Sequence, residues 1–134
     1  MSTDDIRIAA IIGGGVIGGG WASHLLLHGI DVRVFDPHPE AEGKLLEMLK
    51  NAERAWIRLI SAPVPPRGKL NFCDSIAEAV DEAESIEECT PENENLKRRI
   101  LAEIDAASSA STPIGSSTSG LLPSRLQVDM VHPE

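Results

Sequence analysis

Apolar residues along this chain follow two patterns, which alternate from the N-terminus to the C-terminus. Short β-branched runs are typical of strands buried in a parallel sheet, and segments with apolar positions every three or four residues are typical of amphipathic helices. The first pattern predicts strands at 6–12, 31–36, 69–73, 85–90 and 112–116. The second predicts helices at 16–28, 40–59, about 75–83, 95–107 and 121–128.

Strands that alternate with helices predict one α/β domain in which right-handed crossovers build a mainly parallel sheet covered on both faces. Local signals support the boundaries: Gly29 is placed to end the first helix, and Asp74 or Ser75 to begin the third. The proline-rich stretch 61–68 predicts a loop. Glu87 and Glu88 make the fourth strand the weakest of the five.

Composition narrows the function classes. The chain has 134 residues, 42% of them hydrophobic, and a formal net charge of -9. A surface this acidic argues against a broad cationic face for nucleic acid or anionic lipid. The uncharged stretch 8–22, which follows the first charged residues, is shorter than the roughly 20 apolar residues of a membrane span. We therefore expect no nucleic-acid or membrane partner and, without a signal peptide at the N-terminus, a cytoplasmic location.

The potential metal ligands are too sparse for a metal site. Cys73 and Cys89 lie too far apart for a zinc knuckle or a disulfide framework, and we expect them to pack as small strand residues. His24 and His28 are spaced to share one face of the first helix, but no third ligand accompanies them. The sequence predicts no bound metal.

A GxGxxG motif follows the first predicted strand and opens the first helix. In this context it predicts a dinucleotide-binding turn in a Rossmann-like, doubly wound fold. The first glycine permits the turn, the second lets the backbone approach a pyrophosphate, and the third allows close helix–strand packing. The first-turn amides would hold the anion even in an acidic protein. The predicted cofactor-binding residues are Gly13, Gly14, Gly15, Val16, Ile17 and Gly18.

Asp36 lies 18 residues after Gly18, at the end of the second predicted strand. A carboxylate there accepts hydrogen bonds from the adenine ribose hydroxyls and repels a 2′-phosphate, so NAD is favoured over NADP. Arg33 nearby leaves NADP open, and FAD-binding proteins share both the motif and an acidic residue. The structural alternative is that Asp36 is a solvated turn residue before Pro37.

These residues, together with Ser116-Ser117-Thr118-Ser119, resemble the L-3-hydroxyacyl-CoA dehydrogenase family, whose first domain carries a GxGxxG turn and an SxTS segment. The resemblance covers essentially the whole chain. It implies NAD as cofactor and, from Trp21 and the segment 28–37, L-carnitine or a related 3-hydroxy acid as the small-molecule substrate. It also implies a homodimer for the complete protein.

The resemblance assigns roles to three further residues. Ser119 matches the hydroxyl that contacts the reacting substrate oxygen, although serine clusters also form turns and caps. Glu92 and Lys97 match residues of the family that contact the cofactor, and a solvated helix start is their alternative. We expect the general-base histidine to lie beyond Glu134, so His132 is not that base.

The chain is accordingly expected to be an NAD-binding Rossmann domain over 1–134, incomplete at its C-terminus, without the helical domain that binds substrate and forms the dimer. Such a fragment would bind NAD without turnover. Two enzymatic alternatives remain, a 3-hydroxyacyl-CoA (3-hydroxybutyryl-CoA) dehydrogenase and an L-gulonate 3-dehydrogenase. A non-catalytic, crystallin-like dinucleotide-binding protein is a third.

Overall fold

A computed structural model describes residues 6–59, 66–118 and 120–132. Five strands and five helices alternate along this part of the chain. The strands are β1 (Ile8–Ile12), β2 (Asp31–Phe35), β3 (Leu70–Phe72), β4 (Ser85–Glu88) and β5 (Ile114–Ser116). The helices are α1 (Val16–Leu27), α2 (Ala41–Leu59), α3 (Ile76–Val80), α4 (Glu94–Ala107) and α5 (Pro123–Leu126).

The strands form one sheet in the order β3-β2-β1-β4-β5, and every neighbouring pair is parallel. This arrangement confirms the predicted Rossmann-like α/β fold. The chain moves outward from β1 in one direction to β3 and then returns to place β4 on the other side of β1. Such a change of direction opens a crevice at the carboxyl ends of β1, β2 and β4, where doubly wound sheets bind their ligands.

Two apolar clusters cover the two faces of the sheet. One cluster joins Ile11 and Val34 to α1 and α2 through Leu26 and Leu45. The other packs residues of α3, α4 and α5 against the opposite face, where Ile12 and Ile86 are buried. Burial of each such aliphatic side chain contributes about 1.5–3 kcal/mol to the stability of the folded chain. The sheet is thus a rigid platform for the loops at its edge.

The ends of the elements differ from the predicted ones for local reasons. Helix α3 stops at Val80 instead of about 83, and Glu82 then takes a positive φ of 63°, which a continuing helix cannot contain. Strand β4 ends at Glu88, two residues before the predicted end, and α5 has four residues where eight were predicted. Asn93 caps α4 by accepting a hydrogen bond from the Leu96 amide, so the helix begins at Glu94.

Candidate functional site

The glycine turn joins β1 to α1 at the crevice. Gly13 has φ of +103°, and its amide donates to the Phe35 carbonyl at 2.9 Å. A Cβ at this position would lie 2.5 Å from the carbonyl oxygen of Cys89, just after β4. Only glycine fits where three strand ends converge and φ is positive.

Gly18 packs the first turn of α1 directly on β1. A Cβ added there would overlap the Gly13 carbonyl oxygen and press on the Ile11 side chain at 3.3 Å. A side chain at position 18 would therefore hold α1 farther from the sheet than it lies in this structure. This contact aims the N-terminus of α1 at the crevice.

The backbone amides of the motif that could bind an anion lie slightly later than its first glycines. The Gly13 amide is used by Phe35, and the Gly14 amide donates to Asp36 Oδ2 at 2.6 Å. The next amides, of Gly15 and Val16, open α1, where backbone N–H groups have no acceptor within the helix. No atom lies within 4 Å of a Cβ built on Gly15, and Val16 is 82% exposed. This open cradle fits a pyrophosphate held by amides and the helix dipole.

Asp36 follows β2 and braces the glycine turn. Its Oδ2 accepts from Gly14 and its Oδ1 accepts from the His38 amide at 2.8 Å. A carboxylate has about four acceptor sites, so capacity remains for ribose hydroxyls. Asp36 thus has both a structural hydrogen bond and the position required of a ribose acceptor.

Arg33, the residue that left NADP open, does not reach this place. Its guanidinium donates to the Asp81 carbonyl and pairs with Glu82 at 3.5 Å. It pairs in register with Ala10, in the middle of β1. Arg33 is thereby held beside the α3–β4 connection, away from Asp36.

A cleft of about 850 Å³ runs along these strand ends. Among the predicted cofactor residues, Gly18 is buried beneath it, while the others line it: Gly13, Gly14, Gly15, Val16, Ile17, Asp36, Glu92 and Lys97. Ser119 lies outside the described residues. The folded chain therefore brings together residues from the β1, β2 and β4 ends.

Lys97 lies in the wall of this cleft but its side chain is only 1% exposed. Its Nζ donates to Glu88 Oε2 at 2.7 Å and to the Thr90 carbonyl at 3.0 Å. Glu88, at 0% exposed, is the functional candidate that sequence reasoning missed, because it was considered only as a weakness of the strand. A charge at the end of a buried strand was the available signal, since such groups are buried only when paired.

The protonation state of Glu88 follows from its hydrogen bonds. Burial alone would raise the pKa of Glu88, but hydrogen bonds from Lys97, Ser116 and Thr90 outweigh it, and the pKa is lowered. Glu88 is therefore a carboxylate near neutral pH. A buried ion pair of this kind adds little stability in total, but removing one partner costs about 3–5 kcal/mol.

The loops after β4 and β5 are also joined at the cleft. Thr118 donates its hydroxyl to Glu92 Oε1, and the Ser117 amide donates to the Glu88 carbonyl at 2.9 Å. Cys89 directly follows β4, and burial, only partly offset by a hydrogen bond with Ser117, raises the pKa of its thiol to about 11. The thiol is thus protonated and a poor nucleophile.

His132 lies away from the cleft. Its Nδ1 is 3.3 Å from Asp105 Oδ1, and its amide and that of Val131 both donate to Asp105 Oδ2. This histidine fastens the end of the described chain to α4. Among the described residues, no helix has the length and apolar character that crossing a bilayer requires.

Comparison with known proteins places the chain among dehydrogenases. It is 60% identical over 129 residues to the L-carnitine dehydrogenase/betainyl-CoA thioesterase of Rhizobium meliloti, covering 96% of this chain and 26% of that protein. It is 53% identical over 130 residues to the L-carnitine dehydrogenase of Mesorhizobium japonicum, covering 96% of this chain and 36% of that protein. The chain thus spans about a quarter to a third of these curated relatives.

A solved structure also places the chain among dehydrogenases. The crystal structure of an NAD+ dependent dismutase, 5-formyl-3-hydroxy-2-methylpyridine 4-carboxylic acid 5-dehydrogenase, superposes with a TM-score of 0.84 at 35% identity, covering 96% of this chain and 42% of that chain. The family of the 3-hydroxyacyl-CoA dehydrogenase, NAD binding domain, matches residues 8–134. The chain therefore belongs to the NAD-binding domains of the 3-hydroxyacyl-CoA dehydrogenase family, and its cofactor is NAD.

Proposed function

We propose that this chain is the NAD-binding domain of a dehydrogenase that oxidises the 3-hydroxyl group of L-carnitine to the ketone of 3-dehydrocarnitine. The observation that carries the proposal is 60% identity, over nearly the whole chain, to a protein named for this activity. The open glycine cradle supports it, because a dehydrogenase domain must hold the dinucleotide.

Each predicted site residue has a part in this proposal. The amides of the turn at 13–18 bind the pyrophosphate, and Asp36 binds the adenine ribose. Glu92, on the loop after β4, and Lys97, on α4, support the cofactor. Ser119 donates to or accepts from the reacting substrate oxygen and so orients the carbinol carbon. NAD supplies the hydride acceptor, and a histidine outside this sequence removes the hydroxyl proton.

The proposal also covers the complete protein. Residues 1–134 belong to its nucleotide-binding domain, and a helical domain that follows encloses the substrate and makes the homodimer. The relatives' greater length supports a further domain, because this chain covers 26–36% of the two compared above. We propose a cytoplasmic enzyme with no nucleic-acid or membrane partner.

The test is substrate-dependent NADH production by the complete protein that contains this chain. L-Carnitine, (S)-3-hydroxybutyryl-CoA and L-gulonate are compared at equal NAD concentration. We expect kcat/KM to be highest for carnitine. Turnover of another substrate alone would replace carnitine with that alternative, and no turnover of any would favour a non-catalytic dinucleotide-binding protein.

The role of Ser119 needs its own pair of variants. Ser119→Ala in the complete protein should lower kcat by about 100-fold while NAD affinity is kept, since a lost orienting contact costs about that much. Ser124→Ala is the matched control, because Ser124 is an exposed serine of the same region. Equal kcat in the two variants would rule out the substrate contact.

A further inference from the structure

One buried carboxylate at the carboxyl end of β4 contacts three separate segments of the chain. Glu88 Oε2 accepts from Lys97 Nζ at 2.7 Å and from the Thr90 amide at 2.7 Å. The Thr90 hydroxyl also donates to this oxygen, and the Ser116 hydroxyl donates to Oε1. The partners lie on α4, on the loop after β4 and at the end of β5.

Burying the charged Glu88 carboxylate costs free energy that its partners must offset. A carboxylate with no exposed surface is stable only if its charge is paired and its oxygens are hydrogen-bonded. Here the pairing comes from Lys97, and the remaining bonds come from Thr90 and Ser116. Displacing the end of β5 would take the Ser116 donor from Oε1, and displacing α4 would take the paired charge of Lys97 from the carboxylate. The carboxylate therefore holds these segments in one arrangement.

The hydrogen bonds continue from Glu88 into the wall of the cleft. Ser116 Oγ accepts from the Thr118 amide at 3.3 Å, and the Thr118 hydroxyl donates to Glu92. The Ser117 amide donates to the Glu88 carbonyl. Ser117 and Glu92 both line the cleft. Glu88 therefore sets the position of residues 116–118 relative to the loop that carries Glu92.

We propose that Glu88 is a positioning residue, which uses its contact with Ser116 to hold segment 116–118 against the cofactor cleft. Ser119 follows this segment directly in the sequence. The consequence for catalysis rests on the proposed function, whereas the placement of segment 116–118 does not. Neither Glu88 nor Ser116 contacts the reacting atoms in this proposal.

Ser116→Ala in the complete protein is the main test. It removes one hydroxyl from Glu88 but leaves the Glu88–Lys97 pair, so the protein should still fold. We expect kcat with carnitine to fall about tenfold while the Kd for NAD changes less than about twofold, because misplacement affects the reaction more than binding. Ser116→Thr retains the hydroxyl in a residue suited to strands and should restore kcat.

Glu88→Gln tests the carboxylate itself and should lower kcat at least as much as Ser116→Ala. Its control is Glu84→Gln, because Glu84 accepts from the amides of Arg7 and Ile8 at the opposite end of the sheet. The control should keep kcat within about twofold. Wild-type kcat in both Ser116→Ala and Glu88→Gln would overturn the catalytic part of the proposal.

A second measurement does not depend on activity. Burial is the main cause of the raised pKa of the Cys89 thiol, and Ser117 of segment 116–118 contacts this thiol. Release of the segment should expose Cys89, so its alkylation by iodoacetamide should be at least about threefold faster in Ser116→Ala, while Cys73 serves as the internal reference. Unchanged Cys89 alkylation in both Ser116→Ala and Glu88→Gln would overturn the placement of segment 116–118 by Glu88. If the wild type turns over no substrate, the proposed function fails, and the alkylation rates still decide this inference.

Discussion

The glycines of α1 allow a direct test of how closely the helix approaches the sheet. Gly18→Ala forces a methyl group onto the Gly13 carbonyl and the Ile11 side chain, whereas nothing lies within 4 Å of a Cβ on Gly20. Both substitutions are within the same helix, so both gain about 1 kcal/mol of helix propensity. That gain cancels in a comparison of the two variants. The difference in their free energies of unfolding is therefore the steric cost alone, about 1–3 kcal/mol.

Urea denaturation of the chain followed by circular dichroism measures this difference. With slopes of about 1–3 kcal/mol per molar urea, we expect the midpoint of Gly18→Ala to lie roughly 1 M below that of Gly20→Ala. Gly20→Ala should be slightly more stable than the wild type. A midpoint for Gly18→Ala equal to or above that of Gly20→Ala would show that α1 does not pack on β1 as described.

Gly15→Ala completes the series, because its methyl group would enter open space at the mouth of the cradle. Stability should change by less than about 1 kcal/mol. NAD affinity, measured by calorimetry, should fall about 10–100-fold, since a hydrogen bond to a charged group contributes about 1.5–3 kcal/mol. Unchanged affinity would refute the assignment of this amide region to the pyrophosphate.

Three further predictions concern charged residues. Asp36→Ala should weaken NAD binding by about 10–100-fold and reduce the preference for NAD over NADP. Arg33→Ala should leave that preference unchanged, because Arg33 is held away from Asp36. Calorimetry with both dinucleotides measures the two effects, and equal selectivity in wild type and Asp36→Ala would contradict the role of Asp36. Burial alone would raise the pKa of Asp105, but amide hydrogen bonds and His132 outweigh it, and the pKa is lowered. The contribution of Asp105 to the free energy of unfolding is therefore present above the unfolded pKa of about 3.9 and is lost as pH falls through the folded pKa. Asp105→Asn should therefore lose less stability than the wild type on acidification below about pH 4, and parallel acid titrations of urea midpoints would contradict this. Burial and the neighbouring Glu88 raise the pKa of Glu87. The contribution of protonated Glu87 to the free energy of unfolding is therefore present below the unfolded pKa of about 4.3 and is lost as pH rises through the folded pKa. Glu87→Gln should thus raise the urea midpoint at pH 7 relative to the wild type but not at pH 3, and a lower midpoint at pH 7 would contradict it.

The sequence by itself determined the local features of this protein. The alternating periods predicted the order and type of all the described elements, because strand and helix periods are properties of neighbouring residues. The context of the glycine motif predicted the turn at Gly13 and the close packing at Gly18 for the same local, steric reason. The position of Asp36 at the end of the second strand was also visible.

Only the tertiary structure decided which distant residues meet. Asp36 braces the Gly14 amide because β1 and β2 are neighbours, and Arg33 is held by residues at the α3–β4 connection. Glu88 was predicted only as a weakness of β4, yet it pairs with Lys97 nine residues later and Ser116 28 residues later. Such pairs depend on the strand order and on the face to which each side chain points. Local periodicity shows which side chains of one strand share a face, but crossovers set the strand order and packing between layers selects the partners.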